Sequence, residues 1–266
     1  MSDAAAFFDL DKTIIATSST LALGRAFREA GLITRRSMAK GAYARLVYHL
    51  GGVDADRMDR LRDGLAATMT GWDAEQVRSV IAGALSELID PLVYDEAVAL
   101  IEDHHAAGRA VVIVSSSGEE VVGPIGEMLG ADQVIASRMV VEAGRYTGSL
   151  AFYAFGSFKA DAMRELAARN GWELGDCYAY SDSHTDVPML EAVGHPYAVN
   201  PDRALRREAA VRDWPVLTFA HPVPLRSRFP TVPAPRRSVA VGVAGAAVVA
   251  AAAGWHAARS HARRDG

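Results

Sequence analysis

Two aspartates one residue apart, Asp9 and Asp11 in the segment Asp9-Leu10-Asp11-Lys12-Thr13, follow the short apolar run Ala4-Ala5-Ala6-Phe7-Phe8. If that run is a strand, its two-residue period points both carboxylates to the same side at the strand's end. Carboxylates held that close repel, so a cation or a proton must lie between them. A second acidic pair, Asp182 and Asp186, sits in Ser181-Asp182-Ser183-His184-Thr185-Asp186, directly after an apolar run ending at Tyr180. One of these carboxylates can hold a metal and the other its waters, and donors made only of oxygen suit Mg²⁺ better than zinc. His184 has no Cys or His partner at ligand spacing, so it reads as a surface or core histidine, as does the pair His104-His105.

Two further features are weaker alone. Ser115-Ser116-Ser117-Gly118 offers hydroxyls and backbone N–H groups at the entrance to a helix, which can cradle an anion or simply cap the helix. Lys159 is one of only three lysines, with Lys12 and Lys40. It falls at the start of a helical pattern, where the dipole disfavours a cation. A bound phosphate would give it a reason to be there; a solvated surface lysine is the plainer alternative.

The elements that must position these residues change character along the chain. After the first strand come four helical patterns, over residues 18–31, 34–51, 54–71 and from Asp73 to Asp90-Pro91. The last has Gln76 three residues after Asp73, the spacing of a capping box. Helices then alternate with apolar strands: helix 94–107, strand 110–114, helix 118–129, strand 134–136, a hairpin over 139–150, helix 159–170, strand 177–180, helix 188–193 and strand 197–199. That alternation predicts an α/β fold, a parallel sheet covered on both faces, with a helical bundle inserted after the first strand. In such sheets ligands bind at the carboxyl ends of the strands.

Half of the 266 residues are hydrophobic and 23% are charged, enough for a sizeable core. The single cysteine, Cys177, excludes a disulfide framework and suits a reducing compartment. No basic and apolar leader precedes the first strand, so the catalytic part is expected in the cytoplasm. Residues 221–237 are rich in proline and arginine and read as a linker. Residues 238–258 carry no formal charge and as a helix would span about 31 Å, enough for a bilayer, although alanine and glycine dominate them. Their alternative is an Ala-rich tail outside any membrane. From Arg226 onward there are seven arginines and one acid. This basic tail has only Phe229 and Trp255 as aromatic residues and no recognisable motif, so no nucleic-acid partner is expected.

Taken in order, Asp9 and Asp11, Ser115, Lys159, and Asp182 with Asp186 resemble the motif series of the haloacid dehalogenase superfamily. The likeness covers about residues 5–220 and is closest to its phosphoserine phosphatase-like branch. It implies a Rossmann-like parallel sheet core over 1–16 and 92–220, with a helical cap of the C1 type over 17–91. It further implies that Asp9 is the nucleophile, forming an aspartyl-phosphate. Asp11 would be the general acid and base. Mg²⁺ would be held by the Asp9 carboxylate, the Asp11 carbonyl and Asp182, with Asp186 on its waters. Ser115, the Ser116 amide and Lys159 would bind the phosphoryl oxygens.

The expected activity is therefore Mg²⁺-dependent hydrolysis of a small phosphomonoester. Phosphoserine itself is not the expected substrate. The branch's glutamate for the substrate ammonium is missing from Ile14-Ile15-Ala16-Thr17-Ser18, and Ser115-Ser116-Ser117 stands where the branch has Ser-Gly-Gly. The alternatives are a phosphotransferase or phosphomutase using the same intermediate, and a catalytically silent binding protein tethered to a membrane by its tail.

Overall fold

The computed structural model describes residues 4–33, 64 and 66–225. The expected helices over 34–51 and 54–71 therefore lie largely outside the described residues, and the tail segment 238–258 wholly so. Among the described residues no helix is long and apolar enough to cross a membrane.

Seven strands form one sheet: β1 (Ala5–Phe8), β2 (Ala110–Gly118), β3 (Gln133–Glu142), β4 (Arg145–Phe152), β5 (Tyr178–Ser181), β6 (His195–Val199) and β7 (Val216–Leu217). Their order is β4-β3-β2-β1-β5-β6-β7. All neighbours pair in parallel except β3 with β4. The chain runs outward from β1 through β2 to β4 and returns to the other side at β5. The sheet thus reverses direction beside β1, the place where α/β sheets open a crevice at their carboxyl ends.

β1 is central, which explains why its four residues do not alternate in polarity: all are buried. Ala5 and Phe7 pack on one face with Met163, Leu166, Leu190 and Leu205. Ala6 and Phe8 pack on the other with Val98, Ile101, Val122 and Ile125. Each fully buried phenylalanine contributes about 2–3 kcal/mol by removal of its surface from water. The covering helices are α3 (Asp95–Ala106) and α4 (Glu119–Leu129) on the Phe8 side. On the Phe7 side they are α5 (Ser157–Asn170), α6 (Val187–Glu191) and α7 (Arg203–Val211).

Between β1 and α3 lie α1 (Ser19–Glu29) and α2 (Ala74–Ala84). The chain enters and leaves this segment side by side. Ile15 pairs with Val93, the Ala16 N–H donates to the Leu92 carbonyl at 2.8 Å, and the Tyr94 N–H donates to the Ile14 carbonyl at 2.9 Å. Asp73 caps α2, accepting from the Glu75 and Gln76 amides at 3.0 Å each. The other half of the expected capping box is absent, because the Gln76 amide group reaches the Ala30 carbonyl beyond α1 instead. The helix expected to run to Pro91 ends at Ala84 and passes through a π turn (Leu85–Ile89) into a 3-10 turn (Asp90–Leu92). Pro91 lies in the first turn of that 3-10 segment, where its missing N–H forfeits no bond.

Two other expectations change, and two elements are added. β2 continues through Ser115–Ser117, which the sequence placed in a loop, and its register against β3 jumps so that Ser115 faces Ala136 while Gly118 faces Ser137. Ser116 and Ser117 therefore bulge from the ladder, a geometry that re-aims side chains. Residues 221–225, expected to open the linker, lie against the junction: Tyr94 pairs with Pro222, and the Val223 N–H donates to the Val93 carbonyl at 2.8 Å. The sequence reading assigned nothing to α7 and β7. Only Leu205 and Ala209 of α7 are buried, too narrow a stripe to stand out among its arginines.

Candidate active site

Register brings the distant motifs together. Phe8 pairs with Ile113 on one side and Tyr180 on the other, so the residues just beyond these strands share one end of the sheet. Asp9 is tied down there by its own amide, which donates to the Tyr180 carbonyl at 2.9 Å. Asp182 leaves the end of β5 alongside it. After Asp9 the chain turns tightly over the Leu10 carbonyl, which accepts from the Ile14 and Ile15 amides at 3.0 and 3.1 Å. Lys12 takes a left-handed conformation in this turn (φ 65°).

Lys159 joins the cluster from the first turn of α5. It is not a solvated surface residue: only 3% of it is exposed. Its ammonium donates to Asp9 Oδ1 at 2.7 Å and to Asp186 Oδ2 at 2.8 Å. These two carboxylates outweigh the unfavourable helix dipole, an effect worth about 1 kcal/mol or less. Ser181 Oγ also donates to Asp186 Oδ2, at 2.7 Å. Lys12 Nζ lies 3.6 Å from Asp182 Oδ2, at the half-exposed rim.

Three buried carboxylates thus face one buried lysine and one half-exposed one. Burial raises Asp9 well above the usual carboxylate range, and Asp186 and Asp182 add to this against the opposing pull of Lys159. Asp182 is pushed up to about 6, first by burial and then by Asp186, with Lys12 opposing. Burial alone would lower Lys159, but Asp186 and Asp9 hold it above its ordinary value, so it stays charged.

Asp11 has different partners. Its Oδ1 accepts from the Ser19 amide at 2.7 Å, and its Oδ2 accepts from Ser117 Oγ at 3.2 Å. The carboxylate therefore sits on the free N–H groups at the start of α1, where an anion is favoured. Ser115 is buried at the end of the regular part of β2, and its Oγ accepts from the Ser117 amide at 3.2 Å. Ser116 is exposed at the bulge. The seven candidate residues thus come from the carboxyl end of β2, from the segments that follow β1 and β5, and from the first turn of α5. Ser19, Ser117, Ser181 and Lys12 were not singled out as site residues. Ser181 and Lys12 adjoin the aspartates in sequence, and Ser117 was visible only as one member of a serine run.

A family model described as haloacid dehalogenase-like hydrolase matches residues 6–191. The chain belongs to this family. Among curated relatives, the "Inhibition of morphological differentiation protein" of Streptomyces azureus is 57% identical over 97% of this chain and 94% of its own length. A "probable phosphatase" of Mycobacterium tuberculosis is 54% identical over 94% of this chain and 86% of its own. Among solved structures, a phospho-aspartyl intermediate analogue of phosphoserine phosphatase aligns with a TM-score of 0.61 at 19% identity. It covers 88% of this chain and 100% of that one, a likeness of fold.

The donor set of this family member fits a hard divalent cation. Every candidate ligand is an oxygen, and the surplus of buried carboxylates over ammonium groups is the imbalance that such a cation would relieve. Among the described residues no three or more His, Cys, Asp or Glu side chains gather as a metal-holding group. Mg²⁺ is commonly held by one or two carboxylates, completed by water and substrate oxygens.

Proposed function

We propose that this protein is a Mg²⁺-dependent phosphomonoester hydrolase working through an aspartyl-phosphate on Asp9. It is a phosphatase of the haloacid dehalogenase-like family. The observation that carries the mechanism is the Asp9 carboxylate, buried at the sheet's carboxyl end with Lys159 at 2.7 Å. In the first step an Asp9 oxygen bonds to phosphorus, the bond from phosphorus to the leaving oxygen breaks, and Asp11 gives that oxygen a proton. In the second, Asp11 takes a proton from water as the water oxygen bonds to phosphorus. The bond to Asp9 then breaks, releasing phosphate and restoring the carboxylate. Lys159, Ser115 and the Ser116 amide neutralise the phosphoryl oxygens. Mg²⁺ would be held by the carboxylates of Asp9 and Asp182 and the Asp11 carbonyl, with Asp186 beside it, and would supply the positive charge that lets an anionic carboxylate approach an anionic ester.

In this reading residues 17–91 form the cap over a core of 1–16 and 92–220, a division supported by the paired crossing of Ile15 with Val93. The substrate is a small phosphorylated metabolite other than phosphoserine. Ile14 and Ile15 are fully buried, so the stretch after the aspartates offers no group to pair with an ammonium.

The test is phosphate release from a panel of phosphomonoesters, with and without Mg²⁺, for the wild type and Asp9→Asn. Release should need the metal and vanish in the variant. Asn keeps an acceptor for Lys159 and removes one of three crowded carboxylates, so the metal-free variant should melt no lower than the wild type. Undiminished turnover by Asp9→Asn would exclude the proposed nucleophile.

A further inference from the structure

Asp11 is held by a ring of three groups drawn from three separate stretches of chain. Ser117 Oγ lies 3.2 Å from Asp11 Oδ2, Ser19 Oγ lies 2.9 Å from Ser117 Oγ, and the Ser19 amide lies 2.7 Å from Asp11 Oδ1. Ser19 is fully buried although it opens α1, and Ser117 is directed at Asp11 from the bulge between Ser115 and Gly118. Each carboxylate oxygen thus has its own donor, which fixes both the position and the rotation of the group.

We infer that Ser117, with Ser19, is a positioning device that fixes the place and rotation of the Asp11 carboxyl group. A hydroxyl can donate and accept at once, so Ser117 donates to Oδ2 while it shares a second hydrogen bond with the Ser19 hydroxyl. Neither glycine nor alanine at position 117 could make these two bonds. Because Ser19 begins the first helix after the Asp9–Asp11 turn, the ring also ties the acid to the segment that enters the cap, so acid placement and cap position are set together. The role of Asp11 here rests on the proposed phosphatase reading; the ring itself does not.

The experiment compares the wild type, Ser117→Ala and Ser117→Thr on phenyl phosphate and p-nitrophenyl phosphate, reading kcat/KM with Mg²⁺ present. The two esters are close in shape, but phenoxide needs a proton to leave and p-nitrophenoxide hardly does. Ser117→Ala should lower kcat/KM for phenyl phosphate by about tenfold or more and for p-nitrophenyl phosphate by less than about threefold, part of the 10²–10⁴ range of general-acid catalysis. Ser117→Thr restores the hydroxyl and should recover most of the phenyl phosphate rate. Equal losses on both esters, or no loss on either, would overturn the inference. A readout independent of turnover is the Ser19 amide in ¹H–¹⁵N spectra, which Ser117→Ala should shift and expose to faster exchange. An unmoved Ser19 amide overturns the positioning role. Failure of the wild type to hydrolyse any ester, with that amide displaced in the variant, would sink the phosphatase reading while leaving the ring intact.

Discussion

Lys159 Nζ and Asp9 Oδ1 lie 2.7 Å apart although 150 residues separate them in sequence, and the same ammonium reaches Asp186 at 2.8 Å. Both carboxylates and the lysine are buried, the Asp9 side chain keeping 9% of its exposure and the other two 3% each. Breaking such a cluster by removing one partner is far costlier than the net worth of the pair, because the remaining charges stay buried without compensation.

Lys159→Met should therefore act on stability and activity together. The metal-free variant should lose about 3–5 kcal/mol, which for a chain of this size lowers Tm on the order of 10 °C. Hydrolysis should fall at least about a hundredfold, the scale for loss of one preorganised charge stabiliser. Thermal melts and steady-state rates check the two halves separately. A destabilised variant with wild-type kcat would make Lys159 a structural counter-ion and nothing more.

His104 makes a prediction about acid. Arg109 Nε donates to its Nδ1 at 2.8 Å, so Nδ1 holds the lone pair and Nε2 carries the proton toward Tyr180 Oη at 2.9 Å. Burial, and then the nearby Arg109, lower its pKa from 6.5 to about 4. The folded protein consequently binds fewer protons than the unfolded chain between these values. This contribution is whole above pH 6.5, declines as pH falls toward 4, and amounts to about 3 kcal/mol when fully lost. Urea unfolding at pH 7.5 and pH 4.5 should show His104→Gln losing markedly less stability on acidification than the wild type. Equal losses would mean that His104 is not held neutral.

The clustering of the candidate site residues was legible because strand ends punctuate a sequence clearly. Asp9 and Asp182 each follow an apolar run, and nothing beyond the parallel pairing of β1 with β5 is needed to set them side by side. The burial of Lys159 was not legible, since its partners Asp9 and Asp186 come from other elements and a helix start alone argues for solvent. Ser117 shows the same limit. Its aim at Asp11 depends on a register jump between Ser115 and Gly118 against β3, a relation between two strands that no local pattern encodes. Ser18-Ser19-Thr20 read as cap chemistry, yet Ser18 makes no side-chain cap bond, and the Asp11 carboxylate takes the Ser19 amide instead. The hairpin over 139–150 was legible, whereas the left-handed conformation of the residue before Gly144 in its turn was not.

That residue, Ala143, offers the simplest stability test. Ala143 and Gly144 form the two-residue link between β3 and β4, with φ of 48° and 78°. Both signs are those of a type I′ turn, whose twist matches that of the strands it joins. Glycine adopts this conformation freely, but an alanine Cβ there meets the following carbonyl at a cost of about 1–2 kcal/mol. Ala143 is exposed, so replacing it forfeits no packing. Ala143→Asn, an Asn-Gly turn, should stabilise the protein by about 0.5–1 kcal/mol and raise Tm by roughly 2 °C. Ala143→Val should do the reverse, because a β-branched side chain tolerates this region worse. The gain should extend beyond the hairpin, since the Gly144 carbonyl accepts the first amide of α2, from Ala74 at 2.9 Å, and Arg145 Nη1 donates to the Gly71 carbonyl at 2.8 Å. Slower amide exchange at Ala74 in Ala143→Asn would report that coupling. A lower Tm for the asparagine variant, or no penalty for valine, would mean that the turn relaxes out of the left-handed region in solution.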